Sequence, residues 1–220
     1  MVTVYFIATP IGNLNDMTGR AIQVLSDVDY ILAEDTRVTA KLLKRFDIQT
    51  KQISWHQHSG EREWQRVKEM LADGKNLAVV TDAGTPGMSD PGGKLIERIV
   101  NELPEVAIVP LPGASALTTA ISAAGIPLDE FLFLGFLPHK KGRQKKLKVI
   151  EASHYPVIIF ESVYRFKKTL TELAAMHKRV VVCRELTKKF ESIYRGSAEE
   201  VLKRIPDNEI KGEFVIIIEK

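Results

Sequence analysis

Glycine, proline and small side chains crowd into three short stretches of this 220-residue chain, and each stretch follows a run of β-branched and aliphatic residues. Thr9-Pro10-Ile11-Gly12-Asn13 follows Val2–Ala8. Asp82-Ala83-Gly84-Thr85-Pro86-Gly87-Met88-Ser89-Asp90-Pro91-Gly92-Gly93 follows Leu77–Thr81, and Pro112-Gly113-Ala114-Ser115-Ala116 follows Val106–Pro110. Glycine lets a ligand approach the backbone closely, and proline fixes the shape of a loop. The small residues Ala83, Gly84, Gly87, Ser89, Ala114, Ser115 and Ala116 leave room and expose backbone N–H and C=O groups. Such groups can hold an adenine or a methionine-like moiety with few charged side chains. Any one of these loops taken alone reads as a tight turn. Three of them at strand ends point to a ligand site, because open α/β sheets bind ligands beyond the carboxyl ends of their strands.

Other chemistries lack their residues. No G-x-G-x-x-G, G-x-x-x-x-G-K-[ST] or G-x-S-x-G occurs, which leaves a Rossmann dinucleotide site, a P-loop and a hydrolase elbow unsupported. Of the five histidines only His56 and His58 are close, and Cys183 is the single cysteine. No zinc-type ligand spacing exists, so no metal site is expected. His56-Gln57-His58 reads better as a polar loop or a substrate contact.

The elements that position these loops alternate along the chain. Candidate strands are Val2–Ala8, Asp29–Ala33, Gln52–Trp55, Leu77–Thr81, Val106–Pro110, Phe131–Gly135, Pro156–Phe160, Arg179–Arg184 and Glu213–Glu219. Amphipathic helical stretches at Thr18–Leu25, Thr36–Phe46, Glu61–Leu71, Lys94–Leu103, Ser115–Ala124 and Phe166–Met176 lie between them. This alternation predicts βαβ units and largely parallel sheets, an α/β fold. The run Phe214–Ile218 is apolar at every position and should be covered on both faces. Gly125-Ile126-Pro127-Leu128-Asp129 punctuates the pattern, which predicts an N-terminal α/β domain over 1–125 and a basic C-terminal α/β domain over 126–220.

Charge is unevenly spread. Residues 1–112 carry 12 Lys and Arg against 15 Asp and Glu, whereas residues 113–220 carry 19 against 13. Phe131–Ile150 holds Lys140, Lys141, Arg143, Lys145, Lys146 and Lys148 and no acid. Such a segment is a solvated helix face or the footprint of an anionic partner. The lone cysteine precludes an internal disulfide and fits a reducing compartment. Without a basic, apolar leader or a run of about 20 apolar residues, the expectation is a soluble cytoplasmic protein with no membrane partner.

The loops also carry a resemblance. Thr9-Pro10-Ile11-Gly12-Asn13-Leu14 with Asp16, Thr18, Arg20 and Ala21 is similar to the N-terminal signature of the ribosomal RNA small-subunit methyltransferase I family. So are Ala33-Glu34-Asp35-Thr36-Arg37 with Thr39, Asp82–Pro86 with Ser89-Asp90-Pro91-Gly92, and Pro112–Ala116. Gly135-Phe136-Leu137-Pro138 with Lys140 and Arg143, Phe160-Glu161-Ser162 with Arg165, Arg184–Lys188 with Glu191, and Gly212–Val215 continue the match in order. The chain departs from the family's usual residues at Val38, at His56-Gln57-His58-Ser59-Gly60 and at Val163-Tyr164.

The resemblance implies a tetrapyrrole-methylase fold of two α/β domains, with S-adenosylmethionine in the cleft between them, and a homodimer. It implies 2′-O-methylation of a cytidine in the decoding region of small-subunit (16S) ribosomal RNA, with naked RNA or the assembled small subunit as partner. It places cofactor contacts at Pro10, Ala83, Gly84, Thr85, Met88, Ser115 and Ala116, and in the second domain at Phe160, Glu161, Leu186 and Thr187. A base that takes the hydroxyl proton should sit among Asp35, Glu161, Glu185, Lys188 and Glu191. Each of these carboxylates is equally able to be half of an ion pair: Asp35 with Arg37, Glu161 with Arg165, Glu185 with Arg184 or Lys188. RNA contacts are expected from Arg20, Arg37, Lys140, Lys141, Arg143, Lys145, Lys146, Arg165, Arg184 and Lys188, since arginine grips phosphate in pairs of hydrogen bonds. Trp55, Tyr164 and Tyr194 are candidates for stacking on a base, although core packing is the commoner fate of such residues. Two rivals remain: a methyltransferase acting on a tetrapyrrole or a protein, and a non-catalytic RNA-binding α/β module.

Overall fold

The computed structural model describes residues 1–90, 92–206, 208 and 210–220. Pro91, part of the longest loop motif, lies outside the described residues. The chain divides into two compact units, Met1–Ser115 and Ala116–Lys220. The sequence boundary at 125 therefore falls later than the structural one. Gly125 ends the helix that opens the second unit and does not mark the end of the first.

The first unit contains β1 (Thr3–Ile7), α1 (Gly19–Asp27), β2 (Tyr30–Ala33), α2 (Thr36–Arg45), β3 (Lys51–Ser54), α3 (Glu61–Ala72), β4 (Leu77–Val80), α4 (Gly92–Glu102) and β5 (Ala107–Leu111). Its sheet is parallel throughout, in the order β3-β2-β4-β1-β5. Local chemistry sets the helix starts. The Thr18 hydroxyl accepts from Ala21 N at 3.2 Å, Asp35 accepts from Arg37 N at 2.8 Å, and Glu63 accepts from Gly60 N at 2.8 Å.

Two cores flank this sheet. Ala21 and Leu25 of α1 and Leu42 and Leu43 of α2 pack with Ile7, Ile31, Ala78 and Val80 on one face. Trp64, Val67 and Leu71 of α3 and Leu95 and Ile99 of α4 pack with Val4, Phe6, Leu32 and Val79 on the other. The period-2 alternation of each strand feeds both cores, which is why these strands read as continuously apolar.

The second unit contains α5 (Ala116–Ala123), β6 (Leu132–Phe136), α6 (Arg143–Glu151), β7 (Val157–Ser162), α7 (Val163–Ala175), β8 (Arg179–Arg184), β9 (Ser192–Ser197), α8 (Ala198–Arg204) and β10 (Glu213–Ile218). Its sheet runs β6-β7-β10-β8-β9, and only β6 and β7 are parallel. The expectation of a largely parallel second sheet is thus corrected. β8 turns back into β9 through a short loop, and β10 inserts between β7 and β8. β9 lacks a clear sequence signal: Ser192-Ile193-Tyr194-Arg195-Gly196-Ser197 has only Ile193 and Tyr194 as strand formers, and it lies at the sheet edge. Phe214–Ile218 is buried at every position, between α5 on one side and the core of Leu147, Phe166, Leu170 and Val201 on the other. Among the described residues no helix is long and apolar enough to cross a membrane.

Candidate active site

In the first unit, β1 and β4 are neighbours, yet α1 and α4, which follow them, pack on opposite faces of the sheet. In an open α/β sheet such a divergence marks the place at the strands' carboxyl ends where a ligand binds. The loops that border it are tied to one another. Thr9 and Gly84 exchange backbone hydrogen bonds at 3.0 Å in each direction, and the Thr9 hydroxyl donates to Thr81 O at 3.1 Å. The Thr85 hydroxyl donates to Ala114 O at 3.2 Å. A Cβ on Gly113 would lie 2.9 Å from the Ala8 Cβ, so only glycine lets the β5 loop close against β1. Pro10, Gly84 and Ser115 are buried in these walls, Thr85 and Met88 are half-buried, and Ala83 is exposed.

Asp90 organises the rest of the β4 loop. Its Oδ1 accepts from Gly87 N at 2.8 Å and Gly92 N at 2.7 Å, and its Oδ2 accepts from Met88 N at 3.2 Å. These bonds hold Ser89 in the left-handed region at φ 66°. The result is a rigid rim of small residues backed by peptide groups. A nucleoside and a short aliphatic chain fit such a donor set, because shape and backbone groups do the recognising.

Carboxylates crowd the adjacent β2 loop. Asp35 N donates to Asp82 Oδ1 at 3.0 Å, and Asp82 N donates to Glu34 Oε2 at 3.4 Å. Burial pushes the Glu34 carboxyl up from its ordinary range, helped by the charges of Asp82, Asp90 and Asp35. Asp35 goes the other way. The Arg37 side chain grips it through two nitrogens, at 2.6 and 3.0 Å, and with the Arg37 N–H holds its carboxyl at about 2. The ion-pair alternative for Asp35 is the one realised, and so strongly held a carboxylate is a poor base.

The second unit gathers its candidates along one sheet edge, because the carboxyl ends of β7 and β8 and the start of β10 lie side by side. Glu161 is 1% exposed. Its Oε1 meets Arg165 Nε at 2.8 Å and Ser162 N at 2.8 Å, and its Oε2 accepts from the Thr169 hydroxyl at 2.6 Å. With both oxygens engaged inside the protein, Glu161 is a structural ion-pair member, which corrects its assignment as a base.

Beyond β8 the backbone is strained. Glu185 and Thr187 adopt φ of 51° and 65°, unusual for any residue with a side chain and most of all for β-branched threonine. Glu213 N and Lys188 Nζ each bond Glu185 Oε1 at 2.9 Å, Lys188 Nζ also meets Glu213 Oε2 at 2.9 Å, and Glu191 Oε2 accepts from Thr187 N at 2.6 Å. A Cβ on Gly212 would fall 2.1 Å from Glu185 Oε1, so the glycine is required for this arrangement. Burial opposes the charged forms of Glu185 and Lys188. The partners outweigh it, leaving Glu185 below and Lys188 above their ordinary ranges. A lysine held protonated cannot serve as the base, and Glu185 and Glu191 act as anchors of the loop. Phe160 and Thr187 are half-buried at this edge and Leu186 is buried; Ala116 opens α5.

The tetrapyrrole (corrin/porphyrin) methylase family matches residues 3–202. A ribosomal RNA small subunit methyltransferase I from Halalkalibacterium halodurans is 44% identical, with 99% of this chain and 75% of the relative covered. The protein of that name from Streptococcus pyogenes serotype M1 is 46% identical over 98% of this chain and 76% of its own length. The chain belongs to the ribosomal RNA small subunit methyltransferase I family. Solved structures share the fold of this family at low identity. The methyltransferase CobJ superposes with a TM-score of 0.71 at 20% identity, covering 100% of this chain and 93% of that one. A diphthine synthase gives 0.72 at 13%, covering 99% and 90%.

Within this methyltransferase I family chain, the cations proposed for RNA separate into two groups. Lys140, Lys141, Lys145 and Lys146 are exposed at and before α6, whose inward face is Arg143, Leu147 and Ile150. Arg20 and Arg37 are exposed on the first unit. Arg143 is corrected, being 3% exposed; Arg184 is 7% exposed. Arg143 Nη2 meets Glu172 Oε2 at 2.5 Å and the Thr169 hydroxyl at 2.8 Å. Arg184 donates to Lys211 O at 3.0 Å and Phe190 O at 3.1 Å. Arg165, paired with Glu161, also donates to Leu137 O. The planar forks of Arg143 and Arg165 serve the fold, and a sequence pattern cannot distinguish that use from phosphate binding. Trp55 is buried and edge-on to Trp64, with ring centroids 6.4 Å apart, so it packs in the core, the commoner fate. Tyr164 is exposed and Tyr194 packs against the core. Sequence reasoning did not single out Glu34 and Asp90; both lie inside the matched motifs, but their roles depend on neighbours distant in the chain.

Proposed function

We propose that this chain transfers a methyl group from S-adenosylmethionine to the ribose 2′-hydroxyl of a cytidine in the decoding region of small-subunit ribosomal RNA. The observation that carries the reading is the cluster of small-residue loops at the carboxyl ends of β1, β4 and β5, with the β4 loop's backbone groups pinned by Asp90. The relatives named for small-subunit ribosomal RNA methylation support the substrate. Pro10, Ala83, Gly84, Thr85, Met88 and Ser115 would hold the cofactor in the first unit. The cofactor supplies an electrophilic sulfonium methyl. The protein's work is to hold the ribose oxygen in line with it and to exclude water, which is worth up to ~7–11 kcal/mol in favourable cases.

Taking the hydroxyl proton needs a base of suitable strength. Among the carboxylates of the first unit, burial raises the basicity of Glu34 and of its neighbour Asp82, and Glu34 is the one we assign as the base. A carboxyl whose folded pKa is raised opposes folding once pH climbs above its unfolded value. Glu34→Gln should therefore leave thermal stability at pH 7 unchanged or higher, with the difference vanishing at pH values below the ordinary glutamate range. The turnover number should drop by about 10²-fold or more while cofactor affinity is retained. Wild-type turnover in this variant would remove Glu34 from the chemistry.

Isothermal calorimetry with S-adenosylmethionine and its demethylated product tests cofactor binding and separates an enzyme from a non-catalytic RNA-binding module. Saturable binding of both supports the reading; no heat with either contradicts it. The exposed α6 lysines give a second check. Replacing Lys140, Lys141, Lys145 and Lys146 together with alanine should weaken RNA association and reduce the slope of log affinity against log salt by about 2–4. An unchanged slope would show that these lysines face only solvent.

A further inference from the structure

Arg184 closes β8, and its two hydrogen bonds tie together the segments that carry Phe190 and Lys211. Between them lies an open pocket of about 500 Å³, whose walls include Arg184, Lys189, Phe190, Ser192, Asn208 and Lys211. It lies wholly within the second unit. Three of its lining residues are cations. Glu191 is the acid among the described lining residues, and its carboxylate is held by Thr187 N. Lys189 and Lys211 are exposed and enter no ion pair among the described residues. Phe190 is 64% exposed, unusual for so large an apolar ring, and Lys189 Nζ stands 5.5 Å from its centroid. Two polar groups of its lining residues have hydrogen-bonding capacity to spare. Arg184 Nη2 makes no hydrogen bond among the described residues, and the Ser192 hydroxyl is buried without a partner.

We infer that this pocket binds a nucleotide of single-stranded RNA, with a phosphate among Arg184, Lys189 and Lys211 and a base against the free face of Phe190. The inference rests on the RNA substrate proposed above and adds a contact point for it, away from the α6 lysines. Cations beside an exposed ring match how proteins hold unpaired nucleotides: charge tracks the backbone and an aromatic face takes the base. The buried Arg184, anchored by two carbonyls, fixes the pocket before the ligand arrives and so lowers the ordering cost of binding. A free inorganic anion would use the cations and leave Phe190 idle.

The test is fluorescence anisotropy with a labelled single-stranded RNA oligonucleotide across a series of KCl concentrations. Phe190→Ala should weaken binding by about tenfold at every salt concentration with an unchanged slope, and Phe190→Tyr should restore it. Lys189→Ala with Lys211→Ala should weaken binding and lower the salt slope by about 1–1.5. Inorganic phosphate should compete only weakly. All these residues are exposed, so the variants should fold, and S-adenosylmethionine affinity should not move. If wild-type protein binds the RNA and both variants match it within about twofold, the pocket is not a nucleotide site. If wild-type protein binds neither the oligonucleotide nor small-subunit ribosomal RNA, the RNA reading itself fails.

Discussion

Asp90→Ala should cost the chain most of its affinity for S-adenosylmethionine while leaving the core of the first unit folded. One carboxylate accepts from three backbone N–H groups, of Gly87, Met88 and Gly92, and among the described residues no other side chain bonds those three donors. Hydrogen bonds to a charged acceptor contribute roughly 1.5–3 kcal/mol each, so releasing the loop forfeits several kcal/mol of local order. Part of this reappears as the ordering cost of binding. An increase in dissociation constant of about 30- to 1,000-fold, or about 2–4 kcal/mol, is the expected calorimetric result. β4 and α4 are packed through Leu77, Val79, Leu95 and Ile99, so the two cores should survive. Asp90→Asn gives the internal control. Its amide oxygen still accepts, but its nitrogen cannot accept from Met88, so its affinity should fall between wild type and alanine. Equal affinity of all three proteins would mean that the β4 loop does not shape the cofactor site.

The second large effect is on stability, and it comes from the other unit. Arg165, Glu161, Thr169, Arg143 and Glu172 form one continuous chain of ion pairs and hydrogen bonds, much of it buried. Glu161→Ala leaves the Arg165 guanidinium and the Thr169 hydroxyl without their acceptor. Breaking one side of a buried pair costs about 3–5 kcal/mol, which lowers the melting midpoint of a chain this size by about 10 °C. Glu161→Gln keeps part of the hydrogen bonding and should lose less. Arg143→Ala should also destabilise, and it should leave RNA affinity and its salt slope untouched, because the guanidinium is buried. Differential scanning calorimetry alongside RNA binding separates the two roles. A stable Arg143→Ala protein with weakened RNA binding would return Arg143 to the interface.

The first unit was legible in the sequence because each of its signals is local. Strand runs end in Gly- and Pro-rich loops, and Thr18 and Asp35 cap helices from one residue before them. A parallel sheet needs a helix between successive strands, so the alternation itself announces the topology. The second unit was harder. β8 and β10 are apolar at almost every position, which reads equally well as a parallel or a central antiparallel strand, and only the unnoticed edge strand β9 decides between them. The site was legible to the level of its loops. Whether a charged residue faces inward was not, because Arg143 and Lys145 sit two residues apart on α6 and point to opposite environments. Nor could spacing foretell that Glu34, Asp82 and Asp90 influence one another across the loops that follow β2 and β4.

The central claim concerns where the methyl group goes, and a 2′-O-methyl group has a chemical signature. It removes the hydroxyl that alkali uses to cut the adjacent phosphodiester. Unmethylated small ribosomal subunits should be incubated with this protein and methyl-labelled S-adenosylmethionine, and their RNA then hydrolysed in alkali. The account predicts label in a single alkali-resistant dinucleotide that begins with a cytidine. Label in alkali-released mononucleotides, in a porphyrinoid offered in parallel, or in no product at all would contradict it.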